Sequence, residues 1–119
     1  MARNERLHDG EHVSLPVPTG TLSGAPVKAG PFVGVTQCAE GQGGNIAGRA
    51  SVWRFGEYDL PTADAVAAEG TAIYITAANV LTATAAGNTL FGYTHADALG
   101  LGATKSAGAG TVHVILTRV

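Results

Sequence analysis

Several groupings in this 119-residue chain place side chains where chemistry could be done. The stretch "LGLGATKSAG" leads into Lys105–Ser106, the order that closes a phosphate-binding loop. Such a loop cradles phosphate in backbone N–H groups only when glycine stands directly before the lysine and again at the head of the loop. Thr104 and Leu99 occupy those positions, so the stretch reads as a flexible loop and no nucleotide cofactor is expected. His8 and His12, with Asp9 and Glu11 between them, are metal-ligating types. Gly10 interrupts them and no helical pattern surrounds them, so they read as part of a polar terminal arm and no metal is assigned. Glu57 and Asp59 flank Tyr58. In an extended chain they share one face, and two such carboxylates can tune each other's proton affinity. No nucleophile or cofactor loop accompanies them. They read as a solvated face, and no catalytic residue is assigned.

Two further groupings have structural readings. Trp53 and Phe55 beside Arg54 raise the question of base stacking on a sheet. Aromatic residues make up only 6% of the chain, however, and Arg3, Arg6, Lys28, Arg49, Arg54, Lys105 and Arg118 are dispersed. Core packing or a protein–protein anchor fits Trp53 better. Cys38, the single cysteine, has no internal disulfide partner and reads as a small buried apolar residue in a reducing compartment.

Composition sets the frame for these residues. The length suits one domain with a core that needs neither disulfide nor metal. Net charge is -2 and the sequence pI is about 6.0, which argues against sequence-independent nucleic-acid binding. Charged residues are only 13% of the chain, leaving a surface that is neutral, small or apolar, as protein contacts often are. The N-terminus "MARNERLHDGEH" lacks the apolar segment of a signal peptide, and no run approaches the length of a membrane span. No membrane partner is expected.

The elements that would position these residues are short strands between glycine and proline punctuation. Val13, Leu15 and Val17 alternate in "HVSLPV", as do Val33 and Val35 in "FVGV", Trp53 and Phe55 in "SVWRF", and Ile73 and Ile75 in "TAIYIT". "VLTAT", "TLFGYT" and "TVHVILTRV" follow, the last with Val112, Val114 and Leu116 on one face and His113 on the other. Period-two alternation in so many runs specifies an all-β domain with one buried face per strand. "PTADAVAAEG" offers a turn or two of helix, with Thr62 as N-cap and Gly70 past its end. A brief turn is expected near Asp97, and "CAEGQGGNIAG" reads as a loop.

The segment "SGAPVKAGPFVGV" resembles the early signature of the capsid decoration, or cement, proteins of tailed phages. The matching steps are Ser23, Gly24, Pro26 and Val27, then Gly30, then Gly34 and Val35. "GEYDLP" is similar to the family's central strand, ending at Leu60 and Pro61. "AAEGTAIYI" is similar through Gly70, Ile73 and Tyr74. "GNTLFGYTHADA" and "GAGTVHVIL" are similar to the closing hairpin through Gly87, Asn88, Leu90, Gly92, Gly110, Val112 and Val114. The resemblance spans nearly the whole chain. The Arg- and His-bearing arm and the "CAEGQGGN" loop depart from the pattern. A recombinase-like label carried by some members does not transfer, because the nucleotide loop is lacking.

The resemblance implies a compact β-barrel or β-tulip-like single domain over residues 13–119, with an extended arm over residues 1–12 and at most one short helix. It implies a structural protein of the outer capsid surface, made in the host cytoplasm. Its partners would be the major capsid protein and itself, as a homotrimer rather than a dimer. The opening segment becomes a turn followed by an edge strand, with Pro26 and Pro31 keeping N–H groups out of the ladder. Candidate contacts are Arg3, Arg6, Leu7 and His8 of the arm, Val13 and Leu15 of the first strand, Pro26, Pro31 and Trp53. The alternatives are a β-rich tail or fibre module, and a small enzyme or ligand-binding barrel marked by a convergent polar pocket.

Overall fold

The computed structural model describes residues 12–116, and within them the alternating runs become nine strands. They are β1 (His12–Pro16), β2 (Pro26–Ala29), β3 (Phe32–Thr36), β4 (Arg49–Trp53), β5 (Glu57–Pro61), β6 (Ala72–Ile75), β7 (Leu81–Thr82), β8 (Thr89–Thr94) and β9 (Thr111–Leu116). One sheet has the order β1-β4-β3-β2 and the other β5-β9-β8-β6-β7. Every pairing is antiparallel. The domain is all-β, and one of its sheets curls into half a barrel.

Burial follows the alternation. Val112, Val114 and Leu116 of β9 meet Ile73 and Ile75 of β6, Leu60 of β5 and Phe91 of β8. Val33 and Val35 of β3 join them from the first sheet, so this larger cluster fills the space between the sheets. The register of β6 on β8 slips between Ile73 and Tyr74, leaving Phe91 without a Cα partner on β6, and its ring is fully buried. A smaller cluster of Leu15, Val17, Val27, Ala50 and Val52 packs with half-buried Val13, Ala29 and Cys38. It lies on the opposite face of the first sheet, because Val27 is the Cα partner of Gly34, the residue between Val33 and Val35. A Cβ at Gly34 would overlap the Trp53 carbonyl and the Val52 side chain, so only glycine lets β4 approach this closely.

The opening segment behaves as expected. Ser23–Gly24 turns, β2 follows as the edge strand, and Gly30 and Pro31 close the β2–β3 hairpin. Gly30 has φ 59°, the left-handed value that a type II′ turn requires at its first central position.

The helix offered over residues 61–70 does not form, and no helix occurs among the described residues. Thr62 donates its hydroxyl to the Leu81 carbonyl and is buried there, and Val66 enters the larger cluster. Val66 also makes an isolated bridge with Lys105, through hydrogen bonds of 2.9 and 3.0 Å. Tertiary burial of Thr62 and Val66 overrides the helical preference of the surrounding alanines. "VLTAT" shortens to the two residues of β7, and β4 ends at Trp53, leaving Arg54 and Phe55 beyond the strand.

Candidate contact surface

Each sheet has two edges, and edges are where a β domain is most open to other chains. On β2, Pro26 has no N–H, and the outward N–H of Lys28 donates to Asn79 Oδ1 at 3.1 Å. Asn79 adopts φ 62° in the β6–β7 turn, a conformation asparagine tolerates better than most residues, and so reaches across from the second sheet. On β1, Pro16 lacks an N–H and Arg49 donates to the Ser14 carbonyl at 2.8 Å. On β7, Thr62 covers the Leu81 carbonyl, while Asp64 accepts bonds of 2.7 Å from the Thr82 hydroxyl and the Ala83 N–H. On β5, Glu57, Asp59 and Pro61 are exposed.

Among the exposed apolar side chains, which also include Leu22, Ile46 and Val80, two groupings stand out. Trp53 is the Cα partner of both His12 and Val35, stacks on His12 at 4.6 Å between ring centroids, and remains 37% exposed. Near it, the Arg54 guanidinium lies 4.8 Å over the ring of exposed Phe32 and 5.8 Å from that of Phe55, cation–π contacts that hold the aromatic rims in place. On the second sheet, Tyr93 and Ile115 are Cα partners and exposed, and Leu99 and Leu101 project from the loop after β8. That loop is built by Asp97, whose carboxylate accepts the N–H groups of Leu101 and Leu99 and is thereby held below the usual carboxylate range. The expected turn near Asp97 is therefore present.

The sequence-derived contact residues divide. Arg3, Arg6, Leu7 and His8 lie outside the described residues. Leu15 is buried and Val13 half-buried in the smaller cluster, so their side chains face inward. Pro26 opens the edge strand, Pro31 sits in the hairpin turn, and Trp53 is exposed. Pro26 also lines two shallow clefts that meet at Asn79, of about 320 and 290 Å³. Their walls are proline, alanine, glycine, threonine and aliphatic residues, with no ionisable side chain among them.

The titratable side chains are tied to structure. Glu57 and Asp59 share the exposed face, as expected, and Glu57 bonds directly to His95 Nδ1. The other imidazole nitrogen lies 4.0 Å from Glu69. Burial pushes the Tyr58 hydroxyl above its ordinary pKa, and that hydroxyl donates to the Phe55 carbonyl. Cys38, expected to be buried, is only half-buried against the smaller cluster, where its Sγ faces the Asn45 side-chain amide. Lys105, read from sequence as part of a flexible loop, donates its ammonium to the carbonyls of Asp64, Ser106 and Gly108 at 3.1, 2.7 and 2.7 Å. It ties the loop after β8 to the segment after β5. No local signal marks it, because Asp64 and Lys105 are far apart in sequence.

A model of the phage cement protein family matches the chain over residues 7–115. The chain belongs to the phage cement protein family. No curated protein and no solved structure matches it. The family is one of structural virion proteins that stabilise the capsid and is not an enzyme family. A cement protein binds capsid proteins and resides on the virion capsid.

Proposed function

We propose that this cement protein binds the outer surface of the expanded capsid, at junctions between major capsid protein subunits, and holds the shell against the pressure of packaged DNA. The observation that carries the reading is the family match over residues 7–115. A ligand that binds only the expanded lattice stabilises it by mass action. Joined as a homotrimer, it would touch several capsid subunits at once, so that modest contacts suffice through effective concentration. The contacts assigned here are Trp53 with His12, Pro26 and Pro31, together with Arg3, Arg6, Leu7 and His8 of the arm. Val13 and Leu15 support them from within.

The test is occupancy on purified expanded capsids, followed by electron microscopy and a heat challenge. Deleting Met1–Asp9 is expected to weaken binding while the fold stays intact. Trp53→Ala is expected to weaken binding by about tenfold or more, as truncating an aromatic anchor does, with little change in the stability of the free domain. Density away from the head, or capsids equally heat-resistant without the protein, would overturn the reading.

A further inference from the structure

Two unfilled apolar features on this surface are opposite in shape. One is a knob. Leu99 and Leu101 are 82% and 61% exposed, and Leu99 is the most exposed large apolar side chain among the described residues. The loop that carries them is closed on itself. Asp97 Oδ1 accepts the Leu99 and Leu101 N–H groups at 2.8 and 3.0 Å. The Asp97 N–H donates to the Leu101 carbonyl and the Gly100 N–H to the Asp97 carbonyl, each at 2.9 Å. A loop of fixed form has little freedom left to lose on docking, and its leucines gain by leaving water.

The other feature is a hole. The larger cleft, of about 320 Å³, has walls that include Pro26, Pro61, Ala63, Val80 and Ala109. Those walls are pinned by bonds between segments distant in the chain. Thr62 donates its N–H to the Gly110 carbonyl and its hydroxyl to the Leu81 carbonyl, and the Gly108 N–H donates to the Ala63 carbonyl at 2.9 Å. The cleft is therefore formed before anything enters it. Its size admits aliphatic side chains, since an apolar cavity of about 150 Å³ takes a benzene.

Charge selects the occupant. No ionisable side chain lines the cleft, so a charged group entering it would lose water without gaining a partner. At its rim stands Lys28, two residues beyond Pro26 on the same face of β2. The Lys28 N–H is tied to the cleft wall through Asn79, and its ammonium forms no ion pair among the described residues. The knob carries the answering charge. Asp97 at its base is exposed, and its Oδ2 has no hydrogen-bond partner. Two knobs set face to face would instead bring carboxylate against carboxylate.

We infer that the Leu99–Leu101 loop of one copy seats in the Pro26–Val80 cleft of a second copy, with Asp97 beside the partner's Lys28. The exposure of Leu99 shows that it does not fill the cleft of its own chain. Because knob and cleft are different patches, each contact leaves one of each open, and the set closes only as a ring. This deepens the homotrimer reading above and rests on it for the number of copies.

Sedimentation velocity over a rising concentration series reads the contact without capsids. The parent chain is expected to self-associate. Leu99→Ser with Leu101→Ser, and separately Val80→Asp in the cleft, are each expected to weaken association by about tenfold or more. Lys28→Glu sets like charges together and is expected to weaken it as well. All four positions lie outside both core clusters. The decisive measurement mixes the knob variant with the cleft variant. The first still offers a cleft and the second a knob, so the mixture is expected to form a dimer and nothing larger, which also shows that both variants fold. Variants that associate like the parent, or a mixture that stays monomeric, would overturn the inference. So would a parent chain that stays monomeric while the knob variant loses its place on expanded capsids. The knob would then belong to the capsid protein, and the capsid reading would stand.

Discussion

Between the two sheets, Phe91, Ile73, Ile75, Val112 and Val114 face Val33 and Val35, so strands wall the layer on both sides. On the other face of the first sheet, Val27, Ala50 and Val52 pack with Val17 and Cys38, which come from loops. Those loops are tied by polar bonds. Thr36 donates its hydroxyl to the Leu22 carbonyl at 2.7 Å, Glu40 accepts the Gly48 N–H at 2.6 Å, and Asn45 donates to Gln42 O and Ser51 Oγ at 2.8 and 3.0 Å. The larger cluster is thus closed by apolar packing between ladders. The smaller one depends on hydrogen bonds in a glycine-rich cover. A fold of this size can keep a second buried face only if its loops act as a wall, and here their polar side chains make them one.

Substitutions can test that contrast. The largest effect is expected from Phe91→Ala, which empties the centre of the larger cluster and should cost about 4 kcal/mol, read as a lower midpoint in urea unfolding. Gly34→Ala comes next. Its methyl would press on the Trp53 carbonyl and Val52, at the strand that supplies both clusters, for a loss of about 3 kcal/mol. Asn45→Ala should cost only about 1 kcal/mol, yet its signature should be local. Amide exchange should quicken across residues 37–48 while the β8 and β9 amides hold. Equal loosening of both sheets would mean that the two clusters unfold as one unit and that the contrast has no energetic content.

What was legible in the sequence divides along the same line. The strands walling the larger cluster show themselves through alternation, because Ile73 and Ile75 or Val112, Val114 and Leu116 must all face one side. The edge role of the opening segment was legible because Pro26, Gly30 and Pro31 have few conformations to choose from. The helix over residues 61–70 was misread, since alanine propensity is local and the demand for Val66 in the core is not. Lys105 and Asn79 were opaque for the same reason. Each closes its bonds with residues distant in sequence, and neither lies in a patterned run. The exposure of the candidate contact residues was legible only in part. Trp53 reached the surface, whereas Leu15, one of an alternating set, was bound to be drawn inward by that same alternation.

The smallest effect tests a carboxylate tie that borders the larger cluster. Asp64 accepts hydrogen bonds from the Thr82 hydroxyl and the Ala83 N–H, and these, with the Lys105 ammonium nearby, lower its pKa in the folded chain. A carboxyl whose folded pKa is depressed binds its proton more readily when unfolded. Its stabilising contribution is therefore complete above the unfolded value of about 3.9 and is lost as pH falls through the lower folded value. Because Asp64 is only half-buried, the contribution should be at most about 1 kcal/mol. The Asp97 loop titrates in the same sense, so the comparison must be between Asp64→Asn and the parent chain. The parent is expected to lose stability below about pH 4, and the variant is expected to start lower and fall less over that interval. Parallel curves would show that Asp64 is ordinary in the folded chain and that the rim of the larger cluster, unlike the cover of the smaller one, stands without polar help.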